Sequence, residues 1–414
     1  MSFLSRVLRR LSRRTPLQPR VFTNTNFPRI PQDYKIEEET IPHYLAADYY
    51  PVRIGEVFAS RYQVVGKLGF GLHSTVWLAR DLNHVALKVY LHSQSEVLGN
   101  AGDNELAIYK RMAERASRHP GRGAVRALLD SFRITGPDGE HLCLVHPPLG
   151  ESVASAVQRT MPRRLRTFGL RFVLGDILLA LEYLHEDCQI IHTGKNISPL
   201  IYNSTTYSSP RFLRADIRAD NIMFGIVDTS ILTDFEEEEI RDPSPRKEVD
   251  GRTIYASRTI RDNGRLGPPV LCDFSSAAFG EEEHLHCVQP RTYRSPEIWD
   301  LYEERSMFGG IDPEHNEYRR RAHLAEIMAV LGPPPKDLLA RGNLTSKFFS
   351  PEGKFIGGID VPAPRSLEAT EINLDGEDQR RFLEFVRKMV HWDPAQRSTA
   401  GELFQDPWLQ DETK

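Results

Sequence analysis

Between Arg61 and Tyr90 the apolar residues come in short runs: Tyr62-Gln63-Val64-Val65, Thr75-Val76-Trp77-Leu78-Ala79 and Val85-Ala86-Leu87-Lys88-Val89-Tyr90. Such runs are rich in β-branched and aromatic residues. With Gly69-Phe70-Gly71 in the first turn and Leu82-Asn83-His84 in the second, they predict three strands. Asn104 to Ala116 follows a helical period instead, with Glu105 and Ile108 on one face. Two more strands are predicted around Val125–Ile134 and His141–Val145. To about residue 150 the chain therefore reads as mostly antiparallel sheet plus one helix. After Gly150 the period turns helical. Phe168 to His185 offers Phe172, Ile177, Leu178, Leu181 and Leu184 as an expected buried face, and 317–331, 377–392 and 399–405 are further helical stretches.

Two regions fall outside this pattern. Residues 1–32 carry seven arginines, at 6, 9, 10, 13, 14, 20 and 29, and no acid. Phe3, Leu4, Val7, Leu8 and Leu11 stand at helical spacing among them. Two readings stay open, an amphipathic start resembling a mitochondrial transit peptide and a disordered basic arm. Both place the segment outside the fold, with 33–54 as a polar extension behind it. The second region is 228–265, with Asp234-Phe235-Glu236-Glu237-Glu238-Glu239 near its start. An acid run of this kind predicts a polar, solvated insert.

Composition narrows the class. A chain of 414 residues with 40% hydrophobic and 27% charged content and a formal net charge of -4 is long enough for one large two-lobed unit. The acidic balance argues against direct nucleic-acid binding. Cys143, Cys188, Cys272 and Cys287 form no C-x-x-C pair, which predicts reduced thiols rather than a disulfide framework or zinc site. No apolar run reaches the about eighteen residues of a membrane span; Asp176 and Glu182 interrupt the longest.

Several short motifs then carry chemistry. Glycines at 69 and 71 let backbone N–H groups approach phosphate oxygens, although a glycine-rich hairpin without a ligand would look the same. Lys88 stands inside an apolar strand, where a lysine needs a partner; Glu105 on the next helix would supply one, and an edge position facing solvent is the other reading. Val270-Leu271-Cys272-Asp273 is an apolar run ending in an acid that could ligate Mg²⁺, or simply end a strand. Asp216-Ile217-Arg218-Ala219-Asp220-Asn221 places an Asp and an Asn five apart on a short loop. There Asp216 could accept the proton of an attacking hydroxyl, Asn221 could hold a metal and Arg218 could offset phosphoryl charge.

The order of these motifs is more specific than any one of them. Glycine loop, strand Lys, helix Glu, loop Asp and Asn, strand-end Asp and Ser295-Pro296-Glu297 follow the protein-kinase signature set. Over about 50–410 the chain resembles the eukaryotic protein kinases, and within them the SR-protein kinases, including fungal members. Tyr50-Pro51-Val52-Arg53-Ile54-Gly55, Lys67-Leu68-Gly69-Phe70-Gly71, Ser74-Thr75-Val76-Trp77-Leu78, Ile190-Ile191-His192-Thr193, Tyr293-Arg294-Ser295-Pro296-Glu297 and Trp392-Asp393-Pro394 carry the likeness. It implies an α+β, bilobal protein-kinase-like fold, with a small antiparallel-sheet lobe over 55–150 and a mainly helical lobe over 151–410. It also implies a monomeric cytoplasmic or nuclear serine/threonine kinase that uses ATP and Mg²⁺ on Arg-Ser-rich protein substrates.

By position, the likeness makes Asp216, Arg218 and Lys88 catalytic and Asn221 and Asp273 metal ligands. The nucleotide would be cradled by Leu68, Gly69, Phe70, Gly71, Ser74, Val76, Ala86, Lys88 and Glu105, with Pro147 and Leu149 at the adenine hinge. Glu297 and Arg397 would form a structural ion pair. The chain departs from the family at four places. Gly194 to Ala215, twenty-two residues, separate His192-Thr193 from Asp216. Ser295-Pro296-Glu297 runs straight into Ile298-Trp299, omitting the start of a buried helix. Arg218 replaces a lysine, and Ser275 replaces a glycine. The first two have the form of an unspliced intron and a skipped exon. Two functional readings stay open here, an active kinase and an impaired kinase-like scaffold.

Overall fold

The computed structural model describes residues 17–42, 44–81, 83–92, 100–115, 117–192, 218–261, 264–280, 299, 302, 307–342 and 345–411. The chain divides into two compact units. The first comprises the residues up to Ala116, Val125–Glu151 and Met223–Ser276, and the second comprises Ser117–Ala124, Ser152–Ile222 and the residues from Ala277 onward.

The first unit is built on a six-stranded sheet, β1 (Val57–Phe58), β2 (Tyr62–Phe70), β3 (Ser74–Arg80), β4 (His84–His92), β5 (Asp130–Thr135) and β6 (Glu140–His146). Their order is β1-β2-β3-β4-β6-β5, and every neighbouring pair is antiparallel. One helix, α1 (Ala101–Glu114), follows β4. The register aligns Gly69 with Val76, Val76 with Lys88 and Lys88 with Leu144 across four strands. Because side chains alternate along a strand, Val76, Ala86 and Lys88 share one face. The opposite face buries Val64, Trp77, Val85, Leu87, Val89, Cys143 and Val145 in one apolar cluster.

Two expectations are corrected in this unit. The acid run is a helix, Ser230–Arg241, not a solvated insert. Its Ile231, Leu232 and Phe235 pack with Val65 and Leu78 of the sheet. Gly66 makes the close approach possible, since a Cβ there would lie 2.9 Å from the Phe235 ring. The buried acids of this helix survive because each has cationic partners. Glu236, fully buried, is hydrogen-bonded to Arg80 and to His84 Nε2 at 2.8 Å and lies 3.0 Å from Arg20 Nε. Glu239 accepts from Ser244 and from Arg258 Nε at 2.9 Å.

The second correction concerns the N-terminal segment, because residues 17–32 are part of the fold. Leu17 N–H donates to the Asp81 carbonyl at 3.0 Å, Ile30 N–H donates to the Arg246 carbonyl at 3.0 Å, and Asn24 Nδ2 reaches the carbonyls of Ile240 and Arg241. The extension behind it contributes charge. Lys67 is wholly buried and is held by Glu38, by Glu37 at 3.4 Å and by the Tyr255 carbonyl at 3.2 Å. Residues 17–54 and 228–261 thus form a collar of paired charges and apolar contacts on the sheet. The transit-peptide reading rests on residues that lie outside those described.

The second unit is mainly helical. Its long helix runs from Thr167 to Glu182 and continues into a π-type turn over Tyr183–Asp187. Leu170, Val173, Leu174, Ile177, Leu178 and Ala180 form its buried face, and Phe172 is instead 45% exposed. Helices Arg320–Leu331, Gly376–Met389 and Ala400–Phe404 match three further expected stretches. Trp299 and Tyr302, just past the missing helix start, are buried against Phe382 with ring centroids 5.9 and 5.0 Å away. Trp408 packs on the other aromatic neighbours of that cluster, 5.1 Å from Phe382 and 4.8 Å from Phe385. The aromatic residues beyond the break therefore supply core. Cys143, Cys188 and Cys272 are buried thiols, and among the described residues no helix is long and apolar enough to cross a membrane.

Candidate active site

Strand β4 places Lys88 on the face of the sheet opposite the apolar cluster, and α1 turns Glu105 toward it. Lys88 Nζ donates to Glu105 Oε2 at 2.7 Å and to Asp273 Oδ1 at 3.0 Å. Glu105 accepts two further bonds, from the Tyr90 hydroxyl and from Phe274 N–H at 3.3 Å. Asn104 Nδ2 donates to the Ser275 carbonyl at 3.0 Å, and Tyr109 meets the buried Phe274 edge-on at 5.6 Å. Helix α1 and residues 273–275 are thereby locked to one another, and Lys88 is fixed in place. Three residues from distant parts of the sequence, each expected in the site, come together here.

The electrostatics differ among the three. Burial alone would push the Lys88 ammonium toward its neutral form, but Asp273 and Glu105 outweigh it and hold its pKa above the ordinary lysine value. Burial also opposes charge on Asp273, yet Lys88 keeps that carboxyl well below the usual carboxylate range. Glu105 is nearly inaccessible, and there burial wins over Lys88 and raises its pKa. Asp273 is the open member, with 43% of its side chain exposed. Its backbone sits at φ +62°, a left-handed conformation that costs a non-glycine residue energy and is concentrated at functional sites.

The remaining cradle residues take several positions. Val76 and Ala86 lie on the Lys88 face of the sheet, as its register requires. A Cβ added at Gly69 or Gly71 would meet nothing within 4 Å, so the turn stands beside open space, and Phe70 is exposed at its tip. Ser74 is buried at the start of β3, while Leu68 packs toward the cluster of the acidic helix. His146, Pro147, Pro148 and Leu149 leave β6, with His146 Nδ1–H donating to the Ala127 carbonyl at 2.9 Å. Leu149 packs with Val270, Cys272 and Met223. Gly150 N–H donates to the Phe224 carbonyl at 2.8 Å, and Phe224 N–H donates to that of Glu151 at 2.9 Å.

Arg218 and Asn221 belong to the other unit. Asn221 ends a single 3₁₀ turn, Ala219–Asn221, is largely buried, and donates its N–H to the Arg218 carbonyl at 2.8 Å. His192 is buried there too. Asp216, Gly194–Ala215 and Glu297, and with Glu297 its expected pair to Arg397, lie outside the described residues.

Reading the sequence missed two participants. Tyr90 stands two residues after Lys88 and so on the same face of β4, a signal the strand period offered. Met223 sat in the apolar triplet Ile222-Met223-Phe224, and nothing local sets it apart.

The donors fit the group the motifs imply. A buried ammonium, an exposed ionised carboxylate and open glycines suit a nucleotide phosphate and a hard divalent cation, and the apolar Leu149 cluster suits a planar base. No family model matches the chain. Curated relatives do. It is 37% identical over 430 residues to a serine/threonine protein kinase of Aspergillus fumigatus, covering 97% of this chain and 98% of that one. It is 26% identical over 400 residues to the serine/threonine-protein kinase SRPK of Physarum polycephalum, covering 91% and 92%. It is 37% identical over 160 residues to SRSF protein kinase 3 of Mus musculus, covering 38% and 28%. Among solved structures, the crystal structure of a kinase domain matches with a TM-score of 0.59 at 18% identity, covering 88% of this chain and 99% of that one. That likeness speaks to the fold.

Proposed function

Because the chain belongs to the serine/threonine protein kinases, we propose that it transfers the γ-phosphate of ATP to serines in Arg-Ser-rich proteins. The observation that carries this reading is the locked Lys88–Glu105–Asp273 set, which presents a fixed cation beside an ionised, exposed carboxylate. When bound, ATP supplies the phosphoryl group and Mg²⁺ offsets its charge. Lys88 holds the α/β-phosphates, and Glu105, fixed by Tyr90 and Phe274, keeps its ammonium from turning away. Asp273 would hold the metal, with Asn221 as the second ligand that the family likeness implies. Leu149 and its neighbours receive the base, and the backbone after His146 offers the hinge hydrogen bonds. Asp216 orients the substrate hydroxyl and accepts its proton, and Arg218 steadies the developing charge.

The substrate class rests on the relatives: one is named SRPK and one is an SRSF protein kinase. The test is phosphate transfer by the purified chain, with Mg²⁺-ATP, to three peptides carrying Arg-Ser, Lys-Ser or Arg-Ala repeats. We expect transfer to Arg-Ser above Lys-Ser, none to Arg-Ala, and loss of transfer in Asp216→Asn. Equal transfer to Arg-Ser and Lys-Ser peptides overturns the substrate class. Nucleotide binding without transfer to any serine peptide overturns the enzyme reading in favour of the scaffold.

A further inference from the structure

The second unit exposes apolar side chains beside cations that the fold leaves unpaired. From Ser152 to Gly175 the chain has five arginines and no acid. This stretch comprises helix Val153–Arg159, the loop 160–166 and the first turns of the long helix Thr167–Glu182. Met161 is 86% exposed on the loop, Phe168 70% on the first helical turn and Phe172 45% one turn later. Phe168 and Phe172 stand four residues apart and so form one stripe. Arg163 and Arg166 lie between Met161 and Phe168 in the chain. Both are exposed, and neither has a hydrogen bond or ion pair among the described residues. Their neighbours are engaged: Arg164 lies over the Tyr302 ring at 5.6 Å, and Arg171 donates to the Asp411 carbonyl at 2.8 Å.

Apolar residues scattered singly on a surface need no explanation, but a local group of them among unpaired cations marks a contact. A groove built for a peptide would shelter such side chains, whereas Met161 and Phe168 protrude. Protruding apolar groups suit a fluid interface. There they enter the acyl boundary while guanidinium groups stay at the level of the headgroups. Met161 also has no ring on which a base could stack, which disfavours a single-stranded nucleic acid. We propose that this face is a contact surface for an anionic lipid membrane, with Met161, Phe168 and Phe172 entering it and Arg163 and Arg166 meeting its headgroups. Asp176, four residues past Phe172, confines the contact to the loop and the first turns of the helix. The association is reversible and involves no covalent step.

The full chain, Arg163→Gln/Arg166→Gln and Met161→Ser/Phe168→Ser are sedimented with vesicles of phosphatidylcholine, with and without phosphatidylserine. Wild type is expected to bind the serine-lipid vesicles, and binding should fade as salt rises. The arginine variant should bind them about thirtyfold more weakly, and the apolar variant at least about tenfold more weakly. Arg163→Lys/Arg166→Lys, which keeps the charge, should stay within about threefold of wild type. The substituted side chains are exposed, so the variants keep the wild-type urea midpoint and the loss is one of contact. The arginine-rich start of the chain could also attract vesicles, so the variants decide. Unchanged binding by both the glutamine and the serine variants overturns the proposal. So does equal binding to the two kinds of vesicle, or no binding to either. Tighter binding to polyglutamate or to oligouridine than to the vesicles overturns it in favour of an acidic protein or a nucleic acid.

Discussion

Two buried lysines sit on opposite faces of the same sheet, and they are partnered differently. Lys67 is fully enclosed, and the fold supplies all its acceptors: Glu38, Glu37 and the Tyr255 carbonyl. Phe70 and Trp77 close over it, with ring centroids 5.6 and 5.9 Å from Nζ. Lys88 shares Glu105 with Tyr90 and Phe274, but its second carboxylate, on Asp273, is 43% exposed. The collar lysine has completed its bonding within the protein. The β4 lysine keeps one side of its ion pair facing outward, where a ligand can compete for it. A buried charge with closed partners is architecture; one with an open partner is a candidate for binding.

The largest structural effect should come from Lys67→Met. Removing one member of a buried pair strands the others and costs about 3–5 kcal/mol, to be read as a lower urea midpoint of the full chain. An unchanged midpoint would erase the distinction between the two lysines. Next comes Glu236, whose pKa burial would raise but which hydrogen bonds from His84 and Arg80 lower to about 2. Since the folded value lies below the unfolded one, its stabilisation is complete above the ordinary glutamate range and fades as pH falls toward about 2. Glu236→Gln should cost about 3 kcal/mol near neutrality, and the gap in Tm between variant and wild type should narrow in melts taken down to pH 3. A constant gap would mean that the charge contributes nothing.

Smaller effects are expected at Tyr90 and Asn24. Tyr90→Phe removes one of the bonds that hold Glu105 and should weaken phosphate transfer by about tenfold, the worth of a hydrogen bond to a charged group, with Tm little changed. A loss of Tm without a loss of rate would move Tyr90 to the architectural side. Asn24→Ala frees the two carbonyls at the end of the acidic helix and should cost about 1 kcal/mol, measured by the same urea titration.

The two lysines were also unequally legible in the sequence. Lys88 announced itself because the strand around it is apolar and its partners belong to a motif set with a fixed order. Strand positions, α1 and the long helix followed from period alone. Lys67 and the collar did not. Glu236 and Glu239 are buried by Arg20, Arg80, His84 and Arg258, partners far away in sequence that no local pattern reveals. The run of four glutamates hid a helical stripe of Ile231, Leu232 and Phe235 that a count at helical spacing would have found. Phe172 was misplaced for the opposite reason: it is apolar, but its neighbours Val173 and Leu174 hold the buried face.

On this reading Lys88 serves phosphate transfer while Lys67 serves the fold. Initial rates of transfer from Mg²⁺-ATP to an Arg-Ser peptide by wild type, Lys88→Met and Lys67→Met, at a temperature where all three remain folded, test it most directly. We expect Lys88→Met to lose about 10²–10³-fold, the scale of removing one electrostatic stabiliser of a transition state, with a smaller drop in urea midpoint than Lys67→Met because Asp273 stays open to solvent. Lys67→Met should keep most of the rate despite its lower stability. Lys88→Met transferring phosphate at the wild-type rate would place Lys88 with Lys67 among the residues that serve only the fold.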